Sequence, residues 1–164
     1  MNLKELSSKE LSLYSKVISL KGTIESKINQ LDKLGVFDEY QKILHEYAEQ
    51  SDQLEALKRG LFITWIAASE PHFLTGISNI DKNSIEKLIE SLNDKISKKE
   101  TDYELDWMIS YYSKFYFADD IVSKYPYVLK KLQEKIKLPN KIDKHEMTDR
   151  GQMGVYWNSL NESD

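Results

Sequence analysis

The chain of 164 residues contains no cysteine. Disulfides, thiolate zinc sites and cysteine nucleophiles are therefore excluded, and the lack fits a reducing compartment. Six glycines and three prolines leave little material for tight turns, which argues against many short strands and for long helices. Arginine is almost missing: among 23 basic residues only Arg59 and Arg150 are arginine. Nucleic-acid and phosphate sites lean on arginine forks, so the composition points away from nucleic acid as a partner. No run approaches the ~20 apolar residues that cross a bilayer. The stretch MNLKELSSKELSLYSKV has no apolar core of the signal-peptide type. The expectation is a cytoplasmic protein with no membrane partner. No Gly-rich phosphate loop and no G-x-S-x-G elbow is present.

What is there reads as one helical domain. Apolar residues make up 40% and charged residues 30% of the chain, the balance of a globular protein that buries a core without staples. The net charge of −4 is unevenly spread. Residues 38–56 carry Asp38, Glu39, Glu46, Glu49, Asp52 and Glu55 against Lys42 alone. Residues 124–144 are rich in lysine, and without interleaved arginine or a helix-turn-helix pattern they read as a solvated face.

Leu6, Leu13 and Leu20 are spaced by seven, as are Val17, Ile24 and Leu31, a seam broken at Glu10 and Lys27. Unbroken from Leu3 to Leu34, such a helix would be roughly 48 Å long. Gly22 is the place where it can be interrupted, and Gly35 its end. A homodimer through residues 3–34 is one reading of the seam. Further helices are expected over 37–50, 53–69, 83–97, 102–117 and 121–136, the last interrupted near Pro126. The helix over 53–69 is apolar on nearly all sides and should be the central element; Pro71 stops it. No segment reads as a strand. The fold class expected is all-α, a bundle of about six antiparallel helices. A long N-terminal helix spans 1–35, a helical-hairpin core 36–138, and a polar linker and tail 139–164. Within RGQMGVYW (150–157), Gly151 and Gly154 rule out a stable helix, while Met153, Tyr156 and Trp157 ask for burial, so the tail is expected to dock on the bundle; a short recognition segment is the other reading.

Several constellations bear on function. Glu70-Pro71-His72 follows the central helix; Glu70 orienting His72 as a general base is one reading, the solvated end of a Pro-stopped helix the other. If the chain has a pocket, this loop is a good place for its rim. The histidines lack metal-ligand spacing, and no metal is expected. Residues 79–90 imitate a calcium loop but lack its glycine, and Asp81 or Asn83 as a helix cap explains the same residues. In YELDWMISYYSKFYFADD (103–120) the aromatics are too many for one core. Beside Asp102, Glu104, Asp106, Asp119 and Asp120, the tyrosines Tyr111 and Tyr112 read as an interface for a basic partner, or else as a wide core helix.

LEALKRGLFITWIAASEPHFLTGI (54–77) and YELDWMISYYSKFYF (103–117) resemble a group of small, all-helical bacterial immunity proteins, encoded beside secreted or contact-delivered toxins. The similar features are the L-K-R-x-L-F helix, the E-P-x-F-L-T-G-I loop and the W-M-x-x-Y-Y helix, within about residues 40–120. The resemblance brings no catalytic motif and no cofactor. It implies a non-enzymatic protein that occludes the active site of a toxin, such as a basic nuclease domain. The binding residues expected are Asp102, Glu104, Asp106, Tyr111, Tyr112, Asp119 and Asp120, with Glu70 and His72 as a second set.

Overall fold

Asn2 starts the first helix. Its side chain accepts the backbone N–H groups of Lys4 and Glu5, and Glu5 answers by accepting that of Asn2, closing a capping box at Leu3–Ser19 (α1). The protein, described by a computed structural model over residues 1–113, 118–134 and 147–162, departs from the expected long helix directly afterwards. Leu20 is extended and Gly22 takes φ +112°, a conformation that favours glycine. Thr23 then caps a second helix, Ile24–Lys33 (α2). The N-terminal helix is thus two helices. The bend brings both onto the same body: Leu6, Leu13, Val17 and Leu31 of the heptad seam are buried in the chain's own core.

Gly35, at φ +64°, turns the chain into Val36–Glu49 (α3). Leu54–Ser69 (α4) is the central element, as its all-round apolar character predicts: every residue from Ala56 to Ile66 is buried. It packs against α3 and against Lys82–Lys98 (α6). Between α4 and α6 the chain passes Pro71 and the short His72–Thr75 (α5). Asp81 caps α6 by accepting the N–H of Ser84 at 2.8 Å, so the calcium-like spacing is a cap.

The aromatic segment forms Tyr103–Tyr112 (α7), capped by Asp102; the rest of the helix expected there, 114–117, lies outside the described residues. The expected sixth helix is divided into Asp119–Val122 (α8) and Pro126–Gln133 (α9), with Pro126 in the first turn of α9, where its missing N–H has no partner to lose. Its end and most of the polar linker lie outside the described residues. The tail is a helix, Gly151–Glu162 (α10), against the expectation drawn from its glycines. Gly151 sits at the start, at φ +62°, and Gly154 lies where Met147 passes too close for a side chain. Both glycines allow close approach rather than break the helix. α10 packs on α1 and α4, with Met153 and Trp157 buried.

Among the described residues there is no strand, and no helix is long and apolar enough to cross a membrane.

Candidate functional site

The two arginines lie in one polar network. α4 contributes Glu55 and, one turn further on, Lys58 and Arg59. Arg150, just before α10, donates to Glu55 from Nε (2.7 Å) and Nη2 (2.6 Å), and to Glu104 of α7 from Nη1 (2.8 Å) and Nη2 (2.5 Å). Lys58 reaches Glu104 at 2.9 Å and Asp102 at 2.6 Å. Arg59 donates to Glu55 at 2.7 Å and to the carbonyl of Leu3 at 2.9 Å. Lys58, Arg59 and Arg150 thus face Glu55, Asp102 and Glu104, so charge balances within the group. Burial works against an ionised Glu104, but hydrogen bonds from Arg150 and Lys58 hold its carboxyl below the usual range.

A seventh group adjoins this set. Glu10, the break in the heptad seam, is 1% exposed. Tyr47 donates its hydroxyl to Oε1, and the Gln152 backbone N–H reaches Oε2 at 3.1 Å. Burial pushes the Glu10 carboxyl from 4.5 to about 7, and these hydrogen bonds pull back only part of the way. Around it the tail is received by several elements. Ser7 accepts the Gly151 N–H at 2.8 Å and donates to the Asp149 carbonyl at 2.5 Å. Tyr40 donates to the Gln152 side chain at 2.6 Å, which in turn donates to the Thr75 carbonyl at 3.3 Å. A carboxyl near neutrality is what a general base has. Here both oxygens are engaged by the fold itself, and the group belongs to the docking of α10.

The aromatics of α7 serve the same purpose. Tyr112 is buried and stacks on Trp65 at 5.0 Å. Tyr111 stacks on Trp107 at 5.5 Å, meets Trp157 edge-on at 4.9 Å, and pairs hydroxyls with Tyr156 at 3.2 Å. Of the residues expected to meet a partner, Glu104, Tyr111 and Tyr112 therefore bind the chain's own tail. Asp102 caps α7 and pairs with Lys58, and Asp106 pairs with Lys131 at 3.3 Å. Asp119 and Asp120 are exposed at the start of α8, in no ion pair among the described residues.

Glu70 is likewise exposed and makes no ion pair among the described residues. It lines two concavities, so the loop after α4 is a rim. A cleft of about 180 Å³ runs between α4 and α10, walled by Phe62, Ile66, Leu74, Tyr14 and Tyr156. A more open hollow of about 280 Å³ holds Pro71, His72, Ile77 and Ile85. No hydrogen bond joins Glu70 to His72, whose ring instead meets Phe37 edge-on at 5.8 Å. The general-base pairing is not assembled. Burial first, then the Tyr111 hydroxyl and the nearby charge of Glu70, raise the Tyr156 phenol above its ordinary value.

The network was missed in the sequence although two signals pointed to it: the acid interrupting an apolar stripe at Glu10, and the scarcity of arginine. Among the described residues no group of three metal-ligating acids, histidines or cysteines occurs. No protein-family model, curated protein or solved structure matches the chain.

Proposed function

We propose that this protein is a non-enzymatic binding module of the immunity kind, acting in the cytoplasm by covering the active site of a basic toxin domain, such as a nuclease. The observation that supports it is the division of the acids. Glu55, Asp102 and Glu104 are consumed in internal pairs with Lys58, Arg59 and Arg150, while Glu70, Asp119 and Asp120 are exposed and in no ion pair among the described residues. Unpaired surface carboxylates steer a basic partner and speed encounter, and salt screens that steering. The rigid helical body then excludes substrate sterically.

The test is functional. Tagged protein captures its partner from host lysate at low salt, and the isolated partner's own activity is assayed with an equimolar amount added back. Loss of that activity, relieved by high salt during mixing, is the expected result. A partner that stays fully active in the stable complex overturns the reading.

A second reading, a scaffold that pairs with its own copy through residues 3–34, has Ile18, Ile24 and Leu34 in its favour, exposed at 64%, 56% and 51% around the α1–α2 bend. Four of the six seam residues, Leu6, Leu13, Val17 and Leu31, are spent inside the chain. Sedimentation as a monomer at high micromolar concentration removes this alternative.

A further inference from the structure

We infer that the cleft between α4 and α10 is a socket for one long basic side chain, lysine or arginine, presented by the protein partner. The inference deepens the binding-module reading and rests on it for the source of that side chain.

Size selects the occupant. Sites that engulf a whole small molecule measure about 300–1,000 Å³. At about 180 Å³ this cleft admits a single side chain. Its chemistry selects further. Phe62, Ile66 and Leu74 give apolar walls, which suit the methylene stem of a lysine or arginine. Tyr14 and Tyr156 line it with aromatic rings, near which a cation is favoured. Among the described lining residues Glu70 supplies the one carboxylate, and no lysine or arginine is there to neutralise it. A neutral apolar side chain would leave that carboxylate facing it without compensation, and an acidic one would be repelled. Gln152, Val155, Tyr156 and Ser159 of α10 build one wall of the socket, so its shape depends on the tail being docked.

The test titrates isotopically labelled protein with three blocked tripeptides, acetyl-Ala-Xaa-Ala-amide, where Xaa is lysine, arginine or norleucine, and follows backbone amides by NMR. The basic peptides are expected to shift the amides of Glu70, Leu74, Val155 and Tyr156 in a saturable way at millimolar concentration. Norleucine, with the same stem and no charge, should bind about tenfold weaker, and so should the lysine peptide against Glu70→Gln. Glu70 is exposed and in no ion pair among the described residues, so this variant keeps the wild-type spectrum elsewhere. Equal binding of norleucine, unchanged binding to Glu70→Gln, or no saturable shift at these amides each overturns the socket. Its failure is separable from that of the module. If Glu70→Gln inhibits the captured partner with unaltered affinity, the socket falls and the module stands. If the basic peptides bind as described but the captured partner stays active in the complex, the module falls and the socket stands.

Discussion

Arg150 grips Glu55 with two hydrogen bonds, 2.7 Å from Nε and 2.6 Å from Nη2, across 95 residues of chain. The fork also engages Glu104, so one guanidinium joins α4, α7 and the start of α10. Removing it leaves Glu55 to Arg59 and Glu104 to Lys58, with one negative charge in excess in a partly buried group. Arg150→Met should cost about 3 kcal/mol, because breaking a buried pair leaves uncompensated charge. Arg150→Lys keeps the charge but loses the planar fork and should cost about half as much. Urea unfolding followed by tryptophan fluorescence measures both. Equal midpoints for wild type and Arg150→Met would mean that the network does not hold the tail.

Glu10 makes stability depend on pH. Its carboxyl titrates near 4.5 in the unfolded chain and at about 7 in the fold. Between these values the native state holds a proton that the unfolded state has released, so stability falls as pH rises through the window. The groups facing it are Tyr47 and Tyr40 from α3, the Gln152 N–H from α10, and the charges of Arg59 and Glu55 from α4. At about 1.4 kcal/mol per pH unit, the loss from pH 4.5 to 7 is on the order of 3 kcal/mol. Glu39 and Glu104, whose carboxyls are lowered, act in the opposite sense, but only in more acid solution. Glu10→Gln should flatten the slope between pH 5 and 7, whatever its effect on stability at one pH. Calorimetry across this range that finds the same slope in both proteins refutes the assignment.

The helices were legible in the sequence because apolar spacing and capping residues act locally. Asp81, Asp102 and Pro71 mark boundaries by rules that need no tertiary contact. The misreadings arose where distant chain segments meet. The seven-residue seam does not reveal that Gly22 turns α2 back, since the turn is worth making only when Leu31 finds the core beside α3. Gly154 resembles a helix breaker until Met147 is seen to occupy the place of its side chain. From the sequence, the acidic, aromatic face of α7 is either an interface for a basic partner or a wide core helix. In the structure Glu104, Tyr111 and Tyr112 meet residues 150–157 of the same chain, which sequence spacing has no means of placing there. The Glu70 rim was legible because a proline stop forces the chain out of a buried helix into the open.

Gly60 tests the close crossing of α4 and α6. A side chain there would place its Cβ 2.6 and 2.9 Å from the two methyl carbons of Leu88, which is fully buried. Alanine favours a helix over glycine by about 1 kcal/mol. Overpacking a closed core costs about 1–3 kcal/mol, and here it should win. Gly60→Ala is expected to be destabilising, and adding Leu88→Ala should recover part of the loss relative to Leu88→Ala alone. A Gly60→Ala protein more stable than wild type would show that the two helices separate freely.

Binding and stability should divide between two sets of acids. Asp119 and Asp120 make no ion pair among the described residues, whereas Glu104 is held by Arg150 and Lys58. Replacing both Asp119 and Asp120 by asparagine removes charge only from the surface. Unfolding should shift by less than about 0.5 kcal/mol, as surface substitutions do. Association with the captured basic partner should slow several-fold, and its rate should depend less on salt, because rim charges act on encounter. Glu104→Gln should do the reverse, lowering the unfolding midpoint while leaving the on-rate of the folded protein intact. Stopped-flow association at two ionic strengths, beside urea unfolding of the same variants, reads both effects. If Glu104→Gln changes the on-rate and the double asparagine variant does not, the binding face lies on α7 and the division argued here is wrong.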